Sequence, residues 1–513
     1  MGVLDNFEPQ NLWQHFENIT KLMHDSGYED DVRKYVYDVL SSNKKVTVTY
    51  YNSNITNPSN PEDLDYVGQR VIVARKKADE GFEDKPTIVL QAHMDMVCVP
   101  KHDIFPLTLL TYQDSDVTWL KAGDLQKGKG TTLGADDGIG VATILALIED
   151  DRFKCGEIEC FFTLQEETNM GGAAGFDPNI LKGKVYLNLD SEDISTIFYG
   201  SAGGALSTFT KEIKTEAFPN GYKCLTVEIS GLQGGHSGVN INEERGNAIC
   251  LMTRFLSETA QGGTVDFRLI NFSGGTKDNA IPTECKVSVA VKATQTDDFL
   301  KLLDDYITGV KSDYTNEPEL KYCTASITET PAPAVFTKNT TVETLNLLVS
   351  LPHGVLKMYT DSSKKGIVES STNLAIVSVS NETPKILTIN SSHRSSNDSS
   401  MDWVIAMHSA IAASNGVKHV LSDRYPSWDP NDASELLAVA KDVYADKIPG
   451  YTASIIHAGL ETAYIVKKCP GTDCISIGPT IKNPHSSEES IRMDTVPQFY
   501  DIVKEIITRY YAK

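Results

Sequence analysis

The sequence predicts an α/β protein whose mixed, mostly parallel sheet is flanked by helices and interrupted by a long α+β insertion. Three observations carry this. Short β-branched runs alternate with helical patterns through "KVYLNLD"; beyond "DSEDISTIFYGSAGGA" the pattern changes to strand pairs with intervening helices; after "DRYPSWDPN" strand followed by helix returns. The expected boundaries are residues 1–199 and 426–513 for one domain and 200–425 for the insertion. A chain of 513 residues exceeds one ordinary core, which agrees with that division.

The elements follow in order. "NLWQHFENITKLMHD" sets Leu12, Phe16, Ile19 and Met23 at helical spacing, and "YEDDVRKYVYDVL" reads as a second helix after Ser26-Gly27. "KVTVTYYN", "RVIVARKK" and "PTIVLQAH" are short and β-branched, and "TTLGADDGIGVATILALIED" passes from a glycine-rich loop into a helix near Asp137. "IECFFTLQEE", a glycine-rich turn at "NMGGAAG" and the strand "KVYLNLD" complete the first segment. The insertion offers "YKCLTVEISGL", "CKVSVAVKA", "NLAIVSVSN" and "KILTINSSHRSS" as strands and "MDWVIAMHSAIAASNG" as a helix. It reads as two related halves meeting near Asn316 to Cys323. The last segment carries "YTASIIHAG", "CISIGPTI" and the helix "VPQFYDIVKEIITRYYA".

Composition removes several classes. The formal charge of −22, from 47 basic and 69 acidic residues, argues against a protein that displaces counterions from a nucleic-acid backbone, and against an anionic membrane surface. No run reaches the roughly 20 apolar residues of a membrane span, and "MGVLDNFEPQNLWQHF" has no signal-peptide pattern, so a cytoplasmic protein is expected. Nine cysteines without a C-x-x-C pair fit reduced thiols. A metal, if held, must then be held by histidines and carboxylates.

Those residue types fall at the expected strand ends. His93 and Asp95 end "TIVLQAHMD"; Asp136 opens a helix; Glu166 and Glu167 follow "CFFTLQ"; Asp190 ends "VYLNL"; His485 follows "ISIGPTIKNP". Each alone reads as packing, a turn or a helix start. In a parallel sheet, however, the carboxyl ends share one edge, so five segments converge there. Clustered carboxylates raise one another's pKa unless a cation neutralises them. Two imidazoles with three or more carboxylates suit a pair of divalent ions such as zinc, with Asp136 as the natural bridge. Asp95, two residues along a strand from His93, can orient its ring. Glu166 and Glu167 point apart in extended geometry, so one can bind metal while the other acts as general base.

With these motifs the chain resembles the cocatalytic-zinc peptidases, specifically the aminoacyl-histidine dipeptidase or carnosinase-like (beta-alanyl-histidine dipeptidase) branch. The resemblance runs over nearly the whole chain, through "QAHMDMV", "TTLGADDGIGVA", "FTLQEETNMGGA", "LNLDSED", "GSAGGA", "GLQGGHSG", "YPSWDP", "IHAGLE" and "IGPTIKNPHSSEE". It implies a zinc-peptidase catalytic domain interrupted by a lid domain. It implies that His93, Asp136 and Asp190 hold one Zn2+, that Asp136, Glu167 and His485 hold the other, that Glu166 is the base and that Asp95 orients His93. In the lid, His236 would stabilise the oxyanion and Arg394 the substrate carboxylate, with Asn279 and the loop around Gly459 as further substrate contacts. Mn2+ or Co2+ would suit the same ligands. Asp137, Ser427 and Ser487 stand where relatives often have asparagine, glycine and proline. The first leaves open which carboxylate bridges, and together they leave the preference for a C-terminal histidine open. A homodimer through the lid and a single chain whose long lid supplies its own His236 both remain open.

The resulting expectation is a metal-dependent dipeptidase acting on Xaa-His or a broader set of dipeptides, with no nucleic-acid or membrane partner. A zinc amidohydrolase or aminopeptidase on N-acyl amino acids or longer peptides is the enzymatic alternative, separable by side-by-side substrates. A binding scaffold derived from a peptidase is the non-enzymatic one, and it would need neither Glu166 nor Asp95.

Overall fold

The computed structural model describes residues 2–52, 70–100, 104–124, 129–327 and 334–513. The chain forms two units: Met1–Ser201 with Trp428–Ile455 and Leu460–Lys513, and Ala202–Ser427 with Ile456–Gly459. The units part within two residues of the expected boundaries, with one difference. Residues 456–459 belong to the second unit, because the Ala202 amide donates to the carbonyls of Ile456 and Ala458 and the Ser371 hydroxyl meets His457 Nε2 at 2.8 Å.

The first unit is built on an eight-stranded sheet in the order Val46–Asn52, Arg70–Lys76, Ile158–Thr163, Ile88–His93, Val185–Asn188, Asp473–Ser476, Thr196–Ser201 and Thr452–Ile456. Its four central strands run parallel; Val46–Asn52, Arg70–Lys76 and Thr196–Ser201 join antiparallel. The sheet is therefore mixed. The central runs are apolar throughout because both faces are covered: every residue of Ile88–His93, Ile158–Thr163 and Val185–Asn188 is buried. Each large apolar side chain removed from water there contributes about 1.5–3 kcal/mol.

The helix Ala135–Glu149 packs against Gln10–Ile19. Gly138 lets them approach, since a Cβ there would stand 3.3 Å from Phe16. The first helix stops at Ile19, so Met23 lies beyond it: amides of Lys21 and Leu22 close tight turns onto Asn18 and Ile19, and the His24 carbonyl accepts from the Met96 amide. "NMGGAAG" is not wholly a turn, because Gly171–Gly175 forms a short helix after Met170.

A small five-stranded sheet pairs Ser490–Arg492 with Val117–Asp124 and with Ile481–Lys482. It holds the loop 483–489 by both ends.

The second unit is a nine-stranded sheet with helices. Its main path runs Lys321–Ile327, Tyr222–Ser230, Cys285–Lys292, Phe267–Gly274, Val368–Val379, Lys385–Ser395, Gly203–Ile213 and Lys418–Tyr425, with Gly354–Met358 on Val368–Val379. A division near Asn316 to Cys323 does not match it. Gly203–Ile213, from the start of the insertion, lies between Lys385–Ser395 and Lys418–Tyr425, while Lys321–Ile327 returns to Tyr222–Ser230. Among the described residues no helix is long and apolar enough to cross a membrane.

Candidate active site

His93 closes its strand with Nε2 3.1 Å from Asp136 Oδ1 and 3.3 Å from Asp190 Oδ1. His485, in the loop of the small sheet, has Nε2 3.1 Å from Asp136 Oδ2 and 2.7 Å from Glu167 Oε2. One carboxylate, Asp136, thus lies between two imidazoles, each with a further carboxylate. The sequence-derived set His93, Asp136, Glu167, Asp190 and His485 is brought together.

Local backbone explains the aim of each group. Asp136 sits at the start of the helix Ala135–Glu149 but is extended, with φ −86° and ψ 108°. Its loop is anchored by Glu489, whose buried carboxylate accepts from the amides of Leu133, Gly134, Ala135 and Asp136 at 2.7–3.4 Å. Asp137, 3% exposed, also lies close to His93 and Asp190. Its oxygens are already taken by the amides of His93 (3.2 Å) and Gly140 (3.1 Å), which favours Asp136 as the bridge.

Glu166 and Glu167 are not extended. They open a one-turn helix after Gln165, whose φ is +54°. Successive helical residues diverge by about 100°, so the two carboxylates still leave in different directions.

Asp95 departs partly from its expected role. His93 Nδ1 lies 3.0 Å from the Asp95 backbone carbonyl and 3.6 Å from its carboxylate. The carboxylate accepts from the amides of Glu166 (3.0 Å) and Glu167 (3.2 Å) and from the Ser26 hydroxyl (2.6 Å). It therefore holds the glutamate turn as well as facing the imidazole. Beneath His93, fully buried Glu461 accepts from Gln91 (2.6 Å) and Thr163 (2.5 Å); Gln91 in turn accepts from Asn188, which accepts from Ser476. Sequence reading assigned no role to Glu489, Glu461 or Ser26.

The electrostatics call for positive charge. Burial pushes Glu167 up to about 7, with the Asp136 charge adding, and Asp190 up to about 6. Glu166 is raised well above the carboxylate range by burial, with Asp190, Glu167 and Glu461 contributing. Burial opposes charge on the imidazoles, yet the carboxylates outweigh it: Asp190 and Asp136 hold His93 well above its ordinary value, and Asp136 and Glu167 bring His485 to about 12. One Glu167 oxygen, Oε1, is buried without a hydrogen-bond partner. Ligand-type atoms of His93, Asp136 and Glu167, and of His93, Asp137 and Asp190, lie within 4.8 Å of one another. An orphaned carboxylate oxygen in a hard N/O donor set fits a divalent cation.

The insertion's sequence-derived residues fall in the second unit. His236 Nδ1 accepts from the amides of Gly238 (3.2 Å) and Val239 (3.0 Å), which assigns the ring proton to Nε2. That nitrogen lies 3.3 Å from Arg394 Nη2, also a donor, and Arg394 donates to the Tyr425 hydroxyl at 3.0 Å. Two donors facing one space suit a shared oxygen acceptor. Asn279 is exposed; its carbonyl accepts from the Ser237 amide, beside His236. Gly459 lies two residues beyond His457, whose imidazole burial lowers to about 3, with Arg394 and His236 adding.

A cluster of imidazoles and carboxylates at the edge of this mixed sheet is a candidate divalent-metal centre of the kind a metallohydrolase uses. The comparisons with known proteins are consistent with this and more specific. Residues 227–317 match the family model described as a peptidase dimerisation domain. The chain is 33% identical over 517 residues to the cytosol non-specific dipeptidase of Escherichia coli, covering 100% of both chains. It belongs to the M20 peptidase family. The aminoacylhistidine dipeptidase structure from Vibrio alginolyticus is 33% identical with a TM-score of 0.79, covering 99% of this chain and 98% of that one. A tripeptidase structure from Staphylococcus aureus, 14% identical with a TM-score of 0.55 over 98% of this chain and 99% of that one, shares the fold.

Proposed function

We propose that this protein is a cytosolic dipeptidase that uses two divalent cations, zinc being the best match to the donors. The observation that carries it is the Asp136 carboxylate set between the His93 and His485 imidazoles. His93, Asp136 and Asp190 would hold one cation and Asp136, Glu167 and His485 the other. When bound, such a pair would lower the pKa of a water so that it can be deprotonated near neutral pH. Glu166 would accept the proton of the attacking water and return it to the leaving amine. His236 donates from Nε2 to the developing oxyanion, and Arg394 binds the substrate carboxylate. Asn279, whose carbonyl accepts from the Ser237 amide, and Gly459, two residues beyond His457, are further substrate contacts in this reading. The test is metal content together with hydrolysis of dipeptides, tripeptides and N-acetyl amino acids, with and without chelator. Dipeptide turnover lost on chelation supports the reading; a preference for tripeptides or N-acyl amino acids overturns the substrate class.

Arg394→Met is expected to raise KM for dipeptides at least about tenfold, the low end of what a lost charged hydrogen bond costs. Dipeptide amides, which have no carboxylate, should lose little. Equal losses for both would remove Arg394 from carboxylate binding.

We also propose that the chain forms a homodimer, the reading supported by the match of residues 227–317 to a peptidase dimerisation domain. The strand Lys418–Tyr425 ends its sheet among the described residues and exposes Val420 (45%) and Leu421 (37%), while the helix Asp398–Ser414 exposes Trp403 (61%). Such an edge pairs readily with a copy of itself, and an antiparallel register centred between Val420 and Leu421 sets Lys418 against the copy's Asp423. Leu421→Asp with Trp403→Asp is expected to halve the mass seen by light scattering. A wild-type monomer would rule the assembly out.

A further inference from the structure

We propose that Glu29 is a positioning residue for the glutamate turn, holding the Gln165 amide so that Glu166 and Glu167 leave the backbone in fixed directions. The inference rests on the reading of those two residues as base and ligand.

Gln165, Glu166 and Glu167 present three successive amides at the start of a one-turn helix, where no helical carbonyl can accept from them. Two carboxylates accept from all three. Glu29 Oε1 takes the Gln165 amide at 3.1 Å and the Gly27 amide at 2.9 Å. Asp95 takes the other two, Oδ1 from Glu166 and Oδ2 from Glu167. Glu29 is 2% exposed. It starts the helix Asp30–Ser42, its carbonyl accepting from the Arg33 amide, so it stands on a regular element. The preceding residues are tied to the Asp95 segment: the Ser26 hydroxyl donates to Asp95, the Ser26 amide to the Met96 carbonyl, and the Met96 amide to the His24 carbonyl.

Such a hold suits Gln165 because its φ of +54° is left-handed, a conformation disfavoured for a residue with a side chain. Release of its amide frees the backbone one residue before the base. A shift of about 1 Å in a reacting group can cost about 10²-fold in rate.

The chemistry also says which substitution should be tolerated. One oxygen, Oε1, serves both amides, while Oε2 is buried without a partner. Glutamine keeps the oxygen that matters; leucine keeps the size and removes it.

The experiment compares wild type, Glu29→Gln and Glu29→Leu by kcat, KM, metal content and hydrogen exchange of the 165–167 amides in cation-free protein. Glu29→Leu is expected to lower kcat about 10- to 100-fold with KM within about threefold, and to speed exchange at Gln165. Glu29→Gln should restore most of the rate and the protection. The proposal is overturned by wild-type kcat in Glu29→Leu, by a Glu29→Gln variant as slow as Glu29→Leu, or by unchanged exchange at Gln165. If Glu29→Leu does not fold, the wild type decides: the Gln165 amide must exchange slowly without cations, and fast exchange sinks the idea. Glu166→Gln measured in parallel separates the two readings, since a normal rate there removes the base while the exchange data still report on Glu29.

Discussion

Glu166→Gln is expected to bind its metal normally and to hydrolyse dipeptides about 10²- to 10⁴-fold more slowly than the wild type, the range over which positioned acid–base groups contribute. Glutamine preserves the size of the side chain and the Glu166 amide that Asp95 accepts, so the turn stays in place. What disappears is the ability to take and return a proton. The pH dependence gives a second readout. Burial, with Asp190, Glu167 and Glu461 nearby, holds the Glu166 carboxyl well above its usual range, and bound cations draw it back towards ionisation. A base must be deprotonated to act, so wild-type kcat should fall as pH is lowered through that pKa. The variant should show no such limb. A variant with intact metal, near-normal kcat and the wild-type acid limb would remove Glu166 from the reaction.

Asp95→Asn is expected to lower kcat about 10²-fold and to reduce metal content far less. The wild-type carboxylate has two acceptor oxygens, one for the Glu166 amide and one for the Glu167 amide and the Ser26 hydroxyl. An amide group has one. Whichever way it turns, an NH₂ faces a backbone N–H, and a buried donor is left without an acceptor, at a cost of about 1–3 kcal/mol. The damage falls on the direction of Glu166 and Glu167. His93 retains the Asp95 carbonyl at its Nδ1, so its ring stays oriented. Atomic absorption and steady-state kinetics on the same preparation decide the matter. A variant that simply lost its metal would show that the carboxylate acts through the imidazole instead.

The contrast between His93 and Asp95 shows what was readable in the sequence. Residue types able to face a cation are few, and the hydrophobic runs before His93, Glu167 and Asp190 mark strand ends well. With Asp136 at a helix start and His485 in a loop, these residues could therefore be collected as a candidate set from the sequence. The groups that hold them could not. Glu29 and Glu489 act by accepting backbone N–H bonds from residues 136 and 353–356 positions away, and such bonds leave no pattern, because every residue except proline offers the same donor. Asp95 was read as a partner for an imidazole, while three of its hydrogen bonds go elsewhere. The same limit applies to the insertion. Its strands were visible one by one, but Gly203–Ile213 crosses to pair with strands nearly 200 residues later, and alternation says nothing about which strand is the neighbour.

The anchoring of the Leu133–Asp136 loop by Glu489 also has a consequence for the order in which the protein is made. His485 and Glu489 follow the whole insertion in chain order. Until they are made, the nascent chain carries His93 and Asp136 but neither the second imidazole nor the clamp on the Asp136 loop. The proposed cation site is thus assembled only after the insertion has been synthesised, and a chain stopped before residue 485 is expected to be inactive.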